Sequence, residues 1–163
     1  MPMRKGRIII ICGLPGSGKS TMAKKLKKQL NAVSLITDKW MIKLFGSSNR
    51  PEDRANVEDI QFELAVELSK RGEVVILEYG FWSSSERLSF IDKANSAGVN
   101  IEAVFMIASS DLLNERISKR NLNLGESEYY LEETLIEDFL GRFQEPDEAE
   151  LKQYSQYEII RQK

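Results

Sequence analysis

Residues 13 to 20 read Gly13-Leu14-Pro15-Gly16-Ser17-Gly18-Lys19-Ser20, the complete G-x-x-x-x-G-K-[ST] pattern of a phosphate-binding loop. The chemistry follows from residue type and spacing. Glycines at these turns allow successive backbone N–H groups to converge on one point and form a nest for an anion. A helix starting at Lys19 aims the positive end of its dipole at the same point. Lys19 is expected to reach the β- and γ-phosphates of a triphosphate, and Ser20 to bind Mg²⁺ through its hydroxyl. The expected nucleotide-binding set is Gly13, Leu14, Pro15, Gly16, Ser17, Gly18, Lys19, Ser20 and Thr21, with Ser20 as the metal ligand.

The rest of the composition restricts what can act beside this loop. The 163 residues include no histidine, which removes the usual general base, the Ser-His-Asp and Cys-His nucleophile pairs and imidazole metal sites. Carboxylates, lysines, arginines, hydroxyls and the backbone remain. Cys12 is the one cysteine, so no intrachain disulfide forms, which fits a reducing compartment and a cytoplasmic protein. The apolar run Ile8 to Ile11 is too short for a signal peptide or for the roughly 20 residues of a membrane span, so a soluble, uncleaved chain is expected. Hydrophobic residues at 42% and charged residues at 29% are the balance of a globular domain.

Charge is unevenly spread. The first 30 residues carry eight basic side chains and no acid, although the net charge is −2. Lys24, Lys25, Lys27 and Lys28 are read as the solvated face of one amphipathic helix, with Met22, Ala23, Leu26 and Leu30 on the other face, so no nucleic-acid groove is indicated.

The loop needs a strand before it and a helix after it, and both are legible. Arg7 to Cys12 is β-branched throughout its centre, as suits a strand buried on both faces. Further strands are expected at Val33 to Thr37, Glu73 to Leu77, Val99 to Ala108 and Tyr157 to Ile160. Between them lie a short amphipathic segment through Trp40, Met41 and Leu44, and a long helix turning Val57, Ile60, Leu64 and Leu68 inward. A helix follows from Ser84 or Ser85 to Gly98, then one capped by Ser110 or Asp111, and a last one over Leu131 to Phe143. Alternating strands and helices predict a three-layer α/β sandwich around a parallel five-stranded sheet, as one domain over residues 1–163. In such sheets the site lies at the carboxyl ends of the strands, which directs attention to Asp38, Glu78 to Trp82, and Ser109 onward.

GLPGSGKST, TDKWM after the second strand, LEYGFWSSSER after the third, the arginine pair in ERISKRN and the late FQEPDEAE together resemble the small P-loop kinases of the AAA-domain group. These are similar to chloramphenicol phosphotransferase, zeta toxin and the kinase domain of bacteriophage polynucleotide kinase. No guanine-reading [NT]-K-x-D motif is present, and an AAA+ motor would need more chain. The resemblance implies a nucleoside-monophosphate-kinase-like fold, ATP and Mg²⁺ as cofactors, and transfer of the γ-phosphate to a hydroxyl. It makes Asp38 the carboxylate that takes the acceptor's proton, where the bland reading is a helix N-cap. Arg116 and Arg120, four apart on one helix face, become lid residues over the transferring group, with the lid around residues 116–130. Lys19, Asp38, Arg116 and Arg120 are thus the expected catalytic set.

Glu78 is expected beside a metal-bound water or the acceptor. Trp40, Phe81, Trp82 and Arg87 are candidate walls of the acceptor pocket, and Phe143 to Glu148 a candidate neighbour of the adenine. Polynucleotide kinases resemble one another in an arginine three residues after the aspartate. Met41 stands there instead, which favours a small-molecule acceptor over a polynucleotide 5′-hydroxyl. A nucleotide-binding regulatory module without catalysis is the reading from another class.

Overall fold

The computed structural model describes residues 5–125, 130–132 and 134–163. Five parallel strands form one sheet in the order β2-β3-β1-β4-β5. The strands are β1 (Arg7–Gly13), β2 (Val33–Ile36), β3 (Val74–Gly80), β4 (Asn100–Ala108) and β5 (Gln156–Gln162). The helices are α1 (Lys19–Leu30), α2 (Thr37–Phe45), α3 (Pro51–Lys70), α4 (Ser84–Ser96), α5 (Ser110–Leu122), α6 (Leu135–Arg142) and α7 (Glu148–Leu151). No helix of the described residues is long and apolar enough to cross a membrane.

The two-residue period of a strand explains why the central strands are apolar throughout. Ile8, Ile10 and Cys12 of β1 pack with Val75 and Leu77 of β3 in one core layer, together with Phe62, Phe90 and Ile91 from α3 and α4. Ile9 and Ile11 point the opposite way, into a layer with Ile76, Val104 and Ala23 of α1. Each wholly buried isoleucine stabilises the fold by about 2 kcal/mol. A third cluster joins Leu14 of the phosphate loop to Leu113 and Ile117 of α5 and to Ile136 of α6.

Several expectations shift in register. Thr37 opens α2 rather than ending β2, and the cap positions of α4 and α5 are Ser83 and Ser109, one residue earlier than the serines expected. The last expected helix is shorter, Leu135–Arg142. Ile60 is 57% exposed, and Gln61 turns inward in its place to accept a hydrogen bond from the Thr37 hydroxyl. Residues 126–129, within the expected lid, lie outside the described residues.

Arg87 corrects a more consequential expectation. It does not line a pocket: it is 0% exposed, and its guanidinium donates to the Glu150 carboxylate at 2.6 and 3.0 Å. It also donates to the carbonyls of Phe81 at 2.9 Å, Trp82 at 3.2 Å and Gln144 at 2.7 Å. Burial pushes Glu150 up, but bonds from Arg87, Ser84 and Tyr154 outweigh it and hold the carboxyl below its usual range. Arg87 thereby fastens a left-handed turn at the end of β3, where Gly80 has φ 93° and Phe81 φ 53°. A bulky residue rarely adopts that conformation, and here the surrounding packing enforces it.

Two stability outcomes follow. Glu150→Ala leaves a buried cation unpaired and should cost about 3–5 kcal/mol in urea unfolding, while Arg87→Met with Glu150→Leu should recover most of it; a single-variant loss below about 1 kcal/mol would contradict the clamp. Cys12 is buried and its burial pushes the thiol well above the ordinary range. A thiol reagent at pH 8 should leave the native protein unmodified and label it fully in denaturant, and stoichiometric labelling of native protein would contradict this.

Candidate functional site

The site is built where β1, β2 and β3 end. Loop residues 14–18 link β1 to α1, and four carbonyls around the loop accept from side chains. Trp82 Nε1 donates to Gly13 O at 3.3 Å, Lys19 Nζ to Leu14 O at 3.1 Å, Arg116 Nη1 to Gly16 O at 3.2 Å and Gln162 Nε2 to Ser17 O at 2.7 Å. With these carbonyls taken up in this way, the loop is left to present amide groups. Gly18 caps α1 with φ 96°, a left-handed conformation that a side chain would strain. No side chain caps this helix and its first turn holds no acid, so its leading N–H groups are left for an external anion.

A cleft of about 970 Å³ opens over the loop. Pro15, Gly16, Gly18, Lys19, Ser20 and Thr21 line it together with Arg116, which bonds the loop, and Arg120, which acts on Lys19; Arg142 lines it as well. Gly13, Leu14 and Ser17 lie beneath as the loop's buried part. Burial holds the Lys19 ammonium down to about 8, against the opposing pull of the Glu78 and Asp38 carboxylates. Arg116 and Arg120 therefore share the cleft with the loop, as their spacing on α5 implied.

Ser20 donates its hydroxyl to Glu78 Oε1 at 2.7 Å. Glu78 is 7% exposed, and its Oε2 has no hydrogen-bond partner among the described residues. Burial raises the Glu78 carboxyl, while the Ser20 bond and Lys19 oppose the rise. A hydroxyl and a buried carboxylate with an unused oxygen, side by side at the loop, are a donor pair suited to a hard divalent cation or its water.

Asp38 occupies the first turn of α2, whose N-cap is Ile36, so its side chain caps nothing. Instead Asp38 Oδ1 accepts from Arg54 Nη1 at 2.6 Å, and Arg54 Nε lies 3.2 Å from Glu58 Oε1. Burial pushes the Glu58 carboxyl up to about 7, with Arg54 opposing and the neighbouring Glu86, Asp38 and Asp59 adding to the rise. Glu58 and Glu86 line the cleft with Asp38 and Arg54.

Of the expected pocket walls, Trp82 lines the cleft, its ring 5.0 Å from that of Phe139. Phe81 is 1% exposed, stacked on Tyr79 and edge-on to Phe90, and so supports the wall from within the core. Trp40 packs against the core layer beneath β2 and does not reach the cleft. None of Phe143 to Glu148 lines the cleft; Gln144 is tied to Trp82 by a main-chain bond of 2.8 Å. Arg54, Glu58, Glu86, Arg142 and Gln162 were not read from the sequence. Arg54 and Glu58 look there like an ordinary i,i+4 surface pair, and only the packing of α3 against α2 brings them to Asp38.

The family described as AAA domain matches residues 8–146. Among solved structures, a Chloroflexus aurantiacus protein assigned as a kinase superposes with a TM-score of 0.74 at 20% identity, over 97% of this chain and 89% of that one. The APS kinase of Mycobacterium tuberculosis, solved with AMPPNP and APS, superposes with a TM-score of 0.68 at 18% identity, over 96% of this chain and 89% of that one. A gluconokinase from Sinorhizobium meliloti gives 0.65 at 17% identity, over 97% and 83%. No curated protein sequence matches the chain. At these identities the structural likeness is one of fold. Because the family match spans most of the chain, the protein belongs to the AAA domain family, and its sheet, loop and flanking helices are the fold of the small P-loop kinases.

Proposed function

We propose that the chain is an ATP- and Mg²⁺-dependent phosphotransferase that moves the γ-phosphoryl group to a hydroxyl of a small-molecule acceptor. The observation that carries this reading is that one cleft is lined both by an anion cradle with Lys19, Arg116 and Arg120 and by a carboxylate, Asp38, near enough to act on the Lys19 ammonium. The loop amides and Lys19 hold the β- and γ-phosphates. Ser20 and Glu78 would hold the cation, which when bound neutralises charge on the phosphate oxygens. Asp38 orients the acceptor hydroxyl and receives its proton as the oxygen bonds to phosphorus and the bond to the ADP oxygen breaks. Arg116 and Arg120 stabilise charge spread over the transferring oxygens, an effect worth roughly 10³ to 10⁵ in rate in related chemistry.

Residues 116–130 act as a lid in this reading, residues 1–163 as one catalytic domain, and the reduced Cys12 is in keeping with the cytoplasm. Met41, three residues past Asp38, is 0% exposed, so that position offers no grip on a nucleotide phosphate, and this supports a small acceptor over a polynucleotide end. The named activities of the two characterised kinases, on APS and on gluconate, support a hydroxyl acceptor in general and identify none for this chain.

Asp38→Asn should bind ATP as the parent does and lose about 10²- to 10⁴-fold in transfer, read as acceptor-dependent ADP release; undiminished transfer would remove Asp38 from the mechanism. Lys19→Ala should abolish both binding and transfer. Because Lys19 titrates at about 8 in the free protein, a bound triphosphate, which favours the ammonium, should cause proton uptake above that pH. ATP affinity should therefore fall as pH rises past about 8. Calorimetry of the parent in buffers of different ionisation enthalpy should register the uptake at pH 8.5 and find it much smaller at pH 7; uptake that does not grow across that range would contradict the assignment.

A further inference from the structure

We propose that Arg54 is a positioning residue that holds Asp38 out of action until an acceptor arrives, and so suppresses wasteful hydrolysis of ATP. The proposal rests on the reading of Asp38 as the base. Arg54 Nη1 sits 2.6 Å from Asp38 Oδ1, an oxygen that would otherwise accept a proton from water in the cleft. A carboxylate oxygen engaged by a guanidinium is a poorer acceptor for that proton.

The contact is built to release. The Asp38 and Arg54 side chains are 30% and 27% exposed, so the pair is half-solvated rather than sealed like Arg87 and Glu150. Arg54 is also held at its other edge, Nε to Glu58 Oε1 at 3.2 Å. The Glu58 main-chain carbonyl in turn accepts from the Tyr79 hydroxyl at 3.0 Å, which fixes this turn of α3 to the end of β3. When an acceptor hydroxyl takes Asp38 Oδ1, Arg54 keeps Glu58 as its partner and no charge is stranded. Two carboxylates on two edges of one guanidinium thus give the arginine a resting place in both states.

The wasteful step is ordinary hydrolysis. A water oxygen bonds to the γ-phosphorus, the bond from that phosphorus to the bridging oxygen breaks, the water proton passes to Asp38, and ADP and inorganic phosphate leave. Arg54→Met exposes Asp38 to this water, so acceptor-free release of phosphate from MgATP should rise, by about tenfold or more given the roughly 10²- to 10⁴-fold that a placed general base contributes. Arg54→Lys, which retains the charge without the fork, should rise less.

The test measures phosphate release from MgATP without acceptor for the parent, Arg54→Met, Arg54→Lys, Asp38→Asn and the Arg54→Met/Asp38→Asn double variant, with ATP affinity measured alongside. A faster Arg54→Met whose gain vanishes in the double variant supports the proposal. A purely structural role for Arg54 would leave hydrolysis unchanged or lower it, and that result with intact ATP binding overturns the proposal. If Arg54→Met does not fold, Arg54→Lys carries the same comparison. The two readings fail differently. Loss of acceptor-dependent transfer in Asp38→Asn without any rise in Arg54→Met rejects the latch alone, whereas a rise that survives in the double variant rejects Asp38 as the base and the latch with it.

Discussion

Amide groups that must face an anion cannot also be satisfied by the protein, and much of this structure is arranged around that constraint. Four carbonyls around the phosphate loop accept from side chains that come from beyond β3, from α1, from α5 and from β5: Trp82, Lys19, Arg116 and Gln162. Each tether has its own support. Trp82 sits on a left-handed turn that the buried Arg87 holds, Arg87 requires Glu150 of α7, and Gln162 reaches the loop because β5 pairs in register with β4 to the last residue of both strands. Sheet order completes the arrangement, since placing β1 between β3 and β4 brings the loop beside Glu78 on one side and Met106 on the other.

Charge within the cleft is the second organising feature. Lys19, Arg116 and Arg120 share the cleft with the loop, and Asp38, Glu58 and Glu86 gather about Arg54 in the same cleft. Burial raises Glu58 to about 7 and raises Glu86 as well, so both carboxyls hold a proton more readily than exposed ones do.

What could be read from the sequence was whatever is local in the chain. The phosphate loop is contiguous, the strands before and after it are apolar runs, and Asp38, just past β2, and Glu78, within the last residues of β3, are acids placed by those strands. Arg116 and Arg120 needed only the 3.6-residue period of one helix. Two expectations were overturned where a side chain's environment comes from distant chain: Arg87 finds Glu150 63 residues away, and Trp40 packs against a core cluster drawn from several strands and helices. Over the 20 residues of α3 the apolar stripe is weak, and a one-residue phase difference exposes Ile60 and buries Gln61. Arg54 stayed hidden for the same reason, since an i,i+4 neighbour explained it locally while its other partner lay on α2.

The proposed phosphotransfer requires one cleft to bind a triphosphate at the phosphate loop and a hydroxyl compound beside Asp38. The most direct measurement is acceptor-dependent ADP release across a library of hydroxyl-bearing metabolites, with MgATP saturating and Lys19→Ala as the blank. The account predicts that at least one compound raises ADP release saturably in the parent protein and not in Lys19→Ala. ADP release that no compound raises, or that rises equally in the Lys19→Ala protein, would contradict it.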